Sequence, residues 1–122
     1  MAKLLIVDDD ELSARFFGEV LTSMGHQVAA IGSATHAFDA IAHDTPDLIL
    51  MDLEMPDMNG VEATRQLKSN PVTQDIPVVI LTAHPEAQAF EEVSMAGADG
   101  YLNKQSDRPA IEAAINTALS GS

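Results

Sequence analysis

The sequence predicts an α/β protein whose single parallel sheet is covered by helices on both faces. Five short aliphatic runs alternate with five longer stretches in which apolar residues recur at helical spacing. The runs are almost wholly apolar, as is typical of strands buried on both faces of a sheet. The strands are predicted at about residues 3–7, 27–31, 47–51, 77–82 and 99–102. The helices are predicted at about residues 11–24, 34–43, 59–69, 86–96 and 107–119.

The first two predicted helices carry start and stop signals. In the first, an apolar stripe recurs every four residues, at Leu12, Phe16, Val20 and Met24. Gly25 follows this stripe as a C-terminal stop, and Asp10 precedes it as a loop or capping residue. Ser33 is placed to cap the second helix.

The later helices carry similar signals. Asn59 and Glu62 resemble a capping box at the start of the third helix, and Gly97 follows the end of the fourth. Ser106 or Asp107 can cap the fifth helix. The fifth helix has one apolar stripe, formed by Ile111, Ala114, Ile115, Ala118 and Leu119.

Composition limits the classes of function. The 122 residues, 46% of them apolar, fit one domain over residues 1–122. Cysteine is absent, which excludes disulfides and thiolate metal sites. No apolar run approaches the roughly 20 residues of a membrane helix and no signal-peptide pattern precedes the first strand, so a cytoplasmic location is expected. The net charge is −13 and the six basic residues form no cluster, so direct nucleic-acid binding is not expected.

Polar side chains suited to phosphoryl chemistry follow or end four of the apolar runs. Asp8 and Asp9 follow the first run, Asp52 the third, Thr82 the fourth and Lys104 the fifth. The carboxyl ends of parallel strands meet at one edge, where open α/β sheets bind their ligands. Carboxylate oxygens are suited to Mg²⁺, and a lysine and a threonine complete a set of groups for phosphoryl transfer.

Four segments resemble the receiver domain of bacterial two-component response regulators, and together they span nearly the whole chain. The segments are Leu4–Asp9 (LLIVDD), Leu50–Gly60 (LMDLEMPDMNG), Ile76–Ala83 (IPVVILTA) and Gly97–Lys104 (GADGYLNK). One such segment would be weak evidence, whereas four in order at these spacings are a specific match. The resemblance implies a flavodoxin-like fold, in which five βα units form a parallel sheet of strand order 2-1-3-4-5.

The resemblance also implies a role for each site residue. Asp52 is the implied phosphoacceptor, whose carboxylate attacks the phosphohistidine of a histidine kinase or phosphotransfer protein. Asp9 and Asp52 are implied Mg²⁺ ligands, joined by the backbone carbonyl of Glu54. Asp8 is implied to act largely through bound water. Lys104 offsets the carboxylate charge and is expected to pair with Asp52 at rest.

The same resemblance implies a conformational switch. Thr82 is the implied switch hydroxyl, and Tyr101 is the aromatic partner whose ring turns inward as Thr82 moves. The implied output surface consists of the fourth helix, fifth strand and fifth helix, and it contacts a downstream effector protein or a fused output domain. Glu54 and His84 occupy positions that tune hydrolysis of the acyl phosphate. Because basic residues are few near the fourth and fifth helices, a monomer is expected.

One residue departs from the family pattern. Gln105 follows the implied active-site lysine, where the family usually has a proline after a cis peptide bond. A cis bond before a non-proline residue costs about 2.5–4 kcal/mol, so a trans Lys104–Gln105 bond is predicted. Lys104 must then reach Asp52 through rotation of its flexible side chain.

Three other classes of protein are alternatives to a phosphorylated receiver domain, and each requires different residues or a different activity. A phosphatase of the haloacid dehalogenase type also begins with a strand-end aspartate, but it needs a second aspartate where this chain has Glu54. A pseudo-receiver would act by protein contact alone, without phosphorylation. A flavodoxin would present N–H and hydroxyl groups in its first loop, which is anionic here. A stand-alone regulator and a receiver domain of a longer protein both fit the sequence.

Overall fold

The computed structural model describes residues 2–55, 57–82 and 97–120. The strands are β1 (Lys3–Val7), β2 (Gln27–Ile31), β3 (Leu48–Asp52), β4 (Val78–Thr82) and β5 (Gly100–Asn103). The described helices are α1 (Glu11–Ser23), α2 (Ala34–His43), α3 (Gly60–Ser69) and the C-terminal helix (Arg108–Ser120). All strands pair in parallel, in the order β2-β1-β3-β4-β5, which confirms the predicted flavodoxin-like sheet. The helix predicted at 86–96 lies outside the described residues.

Two apolar clusters hold the helices against the two faces of the sheet. Strands β3 and β4 are buried along their whole length, whereas the edge strand β2 is largely exposed. Helices α2 and α3 pack on one face, and α1 and the C-terminal helix pack on the other. Within the described part of the chain, no helix has the length and apolar character needed to cross a bilayer.

Most of the predicted helix boundaries are confirmed by hydrogen bonds. The side chains of Asp10, Ser33 and Asn59 accept backbone N–H groups in the first turns of α1, α2 and α3. Asp107 does the same for the C-terminal helix. Gly25 has a φ of 95°, as a helix stop in the left-handed region requires.

The predicted stripe on α1 is wrong in its first half. Leu12 is 77% exposed and Phe16 is 43% exposed, while the buried positions are Phe17, Val20 and Leu21. An α-helix has 3.6 residues per turn, so a row of every fourth residue rotates by about 40° at each step. Over three steps such a row leaves the core-facing side of the helix.

Gly60, the first residue of α3, lies against the end of β3. A Cβ atom at this position would lie 2.2 Å from the backbone oxygen of Asp52. The Gly60 N–H also donates to the Leu53 carbonyl, at 2.7 Å. The absence of a side chain therefore lets the helix start approach the strand end that carries Asp52.

Gly60→Ala is expected to destabilise the protein by about 3 kcal/mol, because backbone rather than a flexible side chain must move to admit the new methyl group. Gly18→Ala in α1 is the control, since its Cβ would meet only side-chain atoms at 3.9 and 4.0 Å. That change should stabilise the protein by about 0.5–1 kcal/mol. Urea unfolding measures both variants, and a Gly60→Ala protein as stable as wild type would contradict the close approach.

Candidate functional site

The parallel sheet brings the predicted site residues to one edge. Asp52 and Thr82 are the last residues of β3 and β4, and Asp8 follows β1 directly. Lys104 follows β5, and its N–H donates to the Thr82 carbonyl at 2.8 Å. A small pocket of about 130 Å³ opens here, lined by Asp9, Asp52, Leu53, Glu54, Thr82 and Lys104.

Three carboxylates form an acidic cluster at this edge. Oxygen atoms of Asp8, Asp9 and Asp52 lie within 4.8 Å of one another. Asp8 and Asp52 are each only 4% exposed, whereas Asp9 is exposed. The Asp8 carboxylate accepts the Asp10 N–H at 2.9 Å, and the Asp52 carboxylate accepts the Glu54 N–H at 3.4 Å. Backbone N–H groups thus orient two of the three carboxylates.

Lys104 places one ammonium group against this cluster. Its Nζ lies 3.3 Å from Asp52 Oδ2 and 3.1 Å from Asp8 Oδ2, and its side chain is 17% exposed. The predicted pairing with Asp52 is therefore present, and Asp8 shares it. Three carboxyl groups thus face one ammonium group, so acidic groups outnumber basic ones in the pocket.

The charges and burial of the pocket raise the pKa of both Asp52 and Lys104. Burial, followed by the hydrogen bond and negative charge of Asp8, raises the pKa of Asp52 to about 7 against the opposing effect of Lys104. Burial alone would lower the pKa of the Lys104 ammonium, but the charges of Asp52 and Asp8 outweigh it and raise that pKa above its ordinary value.

The raised pKa of Asp52 makes the stability of the metal-free protein depend on pH. Between its ordinary pKa of 3.8 and about 7, the folded state keeps a proton that the unfolded chain releases. The resulting contribution to the free energy of unfolding therefore falls as the pH rises through this interval, and it stays low above it. One pKa unit corresponds to about 1.4 kcal/mol, so the whole effect between 3.8 and about 7 is on the order of 4 kcal/mol.

Urea unfolding in the presence of a chelator, from pH 4 to pH 8, measures this effect for wild type and Asp52→Asn. Carboxylates outside the acidic cluster change the stability of both proteins alike, so the difference between the two isolates Asp52 together with the Asp8 carboxyl that interacts with it. We expect that difference to shift in favour of the variant by on the order of 4 kcal/mol as the pH rises. A difference that stays constant with pH would contradict the raised pKa.

The donor set fits a magnesium ion. One oxygen from each of Asp8, Asp9 and Asp52 lies within 4.8 Å of the other two, so a single small cation could contact them together. All three side-chain donors are hard oxygens. Asp8 Oδ2 is buried and, among the described residues, has the Lys104 ion pair but no hydrogen-bond donor. Spare acceptor capacity and excess negative charge both favour a small divalent cation.

The loop after Lys104 follows the trans path predicted from Gln105. The described peptide bonds are all trans, including Lys104–Gln105. The Gln105 N–H donates to Asn103 Oδ1 at 2.8 Å, and the Ser106 N–H donates to the Asn103 carbonyl at 2.9 Å. The turn thus uses an N–H group that proline lacks, and Lys104 still reaches the carboxylates.

The two predicted switch residues lie on the same face of the sheet. Thr82 is buried and is the register partner of Asn103, and Tyr101 precedes Asn103 by two residues. Side chains two residues apart in a strand point to the same face. Tyr101 is half-buried and packs against the cluster that holds α2 and α3. Of the two residues predicted to tune hydrolysis, Glu54 is exposed at the pocket, and His84 lies outside the described residues.

One feature of the loop after β3 was not predicted from the sequence. The carboxylate of Asp57, in the loop after β3, accepts three hydrogen bonds from the first turn of α2. Its partners Ala34 and Thr35 precede it by more than 20 residues, so no local pattern connects them. A cap supplied from elsewhere in the chain has no local sequence signal.

Comparison with protein families identifies the family of this chain. Residues 4–116 match the family model described as the response regulator receiver domain. The chain belongs to the receiver-domain family of response regulators. Proteins of this family are signalling switches of two-component systems rather than classical enzymes.

Individual relatives resemble this receiver domain along almost its whole length. Protein PilH of Pseudomonas aeruginosa is 35% identical, over 99% of this chain and 100% of its own. The polar-differentiation response regulator DivK of Brucella ovis is 30% identical, over 95% and 94%. The signal receiver domain of a signal transduction histidine kinase from Syntrophus aciditrophicus has a TM-score of 0.91 at 28% identity, over 99% and 92%.

Proposed function

We propose that this receiver domain is a phosphorylatable switch that accepts a phosphoryl group on Asp52. The observation that carries this proposal is the position of the Asp52 carboxylate, buried at the end of β3 with the Lys104 ammonium 3.3 Å away. A potential nucleophile and a cation thus both line the same small pocket. The proposed donor is the phosphohistidine of a histidine kinase or phosphotransfer protein.

The proposed transfer is a single displacement at phosphorus. An oxygen of ionised Asp52 attacks the phosphorus atom, an O–P bond forms, and the N–P bond of phosphohistidine breaks. The electron pair of that bond returns to the imidazole nitrogen, which then takes a proton. Because a pKa of about 7 leaves much of Asp52 protonated in neutral metal-free protein, ionisation of this carboxyl group is part of readying the nucleophile.

The proposed cofactor is Mg²⁺, held by the carboxylates of Asp9 and Asp52 and the backbone carbonyl of Glu54, with Asp8 acting largely through water. When bound, the ion supplies positive charge that offsets the carboxylates and the incoming phosphoryl oxygens. Lys104 also offsets negative charge, because its ammonium can shift from the carboxylates of Asp8 and Asp52 to a phosphoryl oxygen. Slow hydrolysis of the acyl phosphate would reset the switch, with Glu54 and His84 as candidates for tuning its rate.

The proposed response to phosphorylation involves Thr82 and Tyr101. Thr82 lines the pocket, so its hydroxyl is placed to move toward a phosphoryl group on Asp52. Tyr101 lies on the same face and would turn inward into the space that Thr82 leaves. The proposed output surface is β5, the C-terminal helix and the segment predicted as the fourth helix, and its partner is an effector protein or a fused output domain.

The direct test is phosphorylation in solution by a small-molecule donor. With Mg²⁺ and acetyl phosphate, intact-mass spectrometry is expected to show one added phosphoryl group. As an acyl phosphate, this group should survive acid but be released by base and by hydroxylamine. A chelator should prevent its formation. No added mass with Mg²⁺ and either acetyl phosphate or a phosphorylated histidine donor would contradict the proposal and favour a pseudo-receiver.

A further inference from the structure

The loop between β3 and α3 forms one wall of the acidic pocket. Its residues Leu53 and Glu54 line the pocket beside Asp52. Hydrogen bonds hold both ends of the loop. The Glu54 N–H donates to the Asp52 carboxylate at 3.4 Å, and the Gly60 N–H donates to the Leu53 carbonyl at 2.7 Å. These bonds fix where the loop leaves β3 and enters α3, and the Met55 and Met58 side chains of the loop pack against the apolar cluster that holds α2 and α3.

Asp57 adds hydrogen bonds between this loop and α2. One carboxylate oxygen accepts the Thr35 N–H at 3.0 Å and the Thr35 hydroxyl at 2.8 Å, and the other accepts the Ala34 N–H at 3.4 Å. The Thr35 N–H, followed by the Thr35 hydroxyl, holds the pKa of the Asp57 carboxyl below its usual range. The carboxylate is therefore charged at neutral pH, and it lies at the positive end of the α2 dipole.

Helix α2 is a firm anchor for this contact. Ala34 and Ala37 in its first turns are fully buried against the sheet. The helix already has its own cap, because Ser33 accepts the His36 N–H at 3.2 Å. Asp57 therefore accepts the N–H groups of Ala34 and Thr35, which Ser33 does not bind. Because Ser33 already caps α2, the main effect of the Asp57 contact is to connect the loop after β3 to this helix.

We propose that Asp57 is a positioning residue for the acidic pocket: its bonds to Ala34 and Thr35 hold the loop so that Glu54 stays at the cation site. This inference rests on the proposed function, since it concerns the same site. Its consequence is that loss of the Asp57 carboxylate weakens Mg²⁺ binding and slows phosphoryl uptake, although Asp57 touches neither the ion nor the phosphoryl group.

The test compares Asp57→Ala with Ser33→Ala in the full chain. Both variants remove a side-chain acceptor from the N-terminus of α2, but only Asp57→Ala also removes a contact between α2 and the loop after β3. Calorimetric titration with Mg²⁺, well below the unfolding temperature of each protein, should show affinity weakened by at least about 10-fold in Asp57→Ala, as when partners that orient metal ligands are lost. Uptake from acetyl phosphate at fixed, subsaturating Mg²⁺ should slow by a similar factor. Ser33→Ala should lower the melting temperature and leave both quantities unchanged.

Two further variants distinguish loop positioning from a general loss of stability. Asp57→Asn keeps an oxygen acceptor, so it should recover part of the Mg²⁺ affinity. Thr35→Val, which removes only the hydroxyl, should weaken Mg²⁺ binding in the wild-type background and have no further effect in Asp57→Ala. Equal Mg²⁺ affinity and equal uptake in Asp57→Ala and Ser33→Ala would overturn the positioning role. Failure of the wild-type chain to bind Mg²⁺ or to take up phosphoryl would instead overturn the proposed function.

Discussion

Asp52→Asn is expected to abolish phosphoryl uptake completely. An amide keeps the shape of the carboxylate but cannot attack phosphorus. Intact-mass spectrometry after incubation with Mg²⁺ and acetyl phosphate measures the effect. The control is Asp75→Asn, an exposed position in the segment before β4, which should be phosphorylated like wild type. Undiminished phosphorylation of Asp52→Asn would refute the choice of acceptor.

Lys104→Met is expected to slow phosphoryl uptake by about 10²–10³-fold, the range typical of losing one fixed charge that stabilises a transition state. Methionine fills much of the same volume, but it leaves the carboxylates of Asp8 and Asp52 without their shared cation. The incoming phosphoryl oxygens then meet unbalanced negative charge. The rate of uptake from acetyl phosphate at fixed Mg²⁺ measures this effect.

Lys68→Met is a closely matched control for this substitution. The Lys68 side chain is also 17% exposed and also forms an ion pair, with Asp99 at 2.7 Å. It bonds to the Ile76 carbonyl at 2.8 Å as well, and it is not among the residues that line the pocket. We expect Lys68→Met to lower stability without changing the rate of uptake. Equal rates in wild type and Lys104→Met would contradict a role for the Lys104 charge.

The sheet and the arrangement of the pocket could be predicted from the sequence because each depends on local patterns. Uninterrupted apolar runs gave strand positions within one residue of those observed. Once the strands are parallel, residues that follow them must gather at one edge, which is why Asp8, Asp52 and Lys104 were predicted to lie together. The trans bond before Gln105 followed in the same way from the identity of one residue.

Features that depend on three-dimensional placement could not be predicted in this way. The exposed positions of Leu12 and Phe16 depend on how α1 is rotated against the sheet, and a row of apolar residues does not fix that rotation. The Lys104 ammonium pairs with both Asp8 and Asp52 because its distances to the two carboxylates, 3.1 and 3.3 Å, are nearly equal, and a sequence pattern does not fix such distances. The Asp57 contact joins residues separated by 22 positions, and the cap motif of α2 is complete without it.

The most direct test of the central claim is to locate the phosphoryl group chemically. Borohydride reduces an acyl phosphate on aspartate to homoserine, which survives proteolysis and is identified by peptide mass spectrometry. After phosphorylation with Mg²⁺ and acetyl phosphate, we expect homoserine at position 52 and aspartate at positions 8 and 9. Homoserine at another aspartate, or phosphorylated protein that yields no homoserine, would show that Asp52 is not the acceptor.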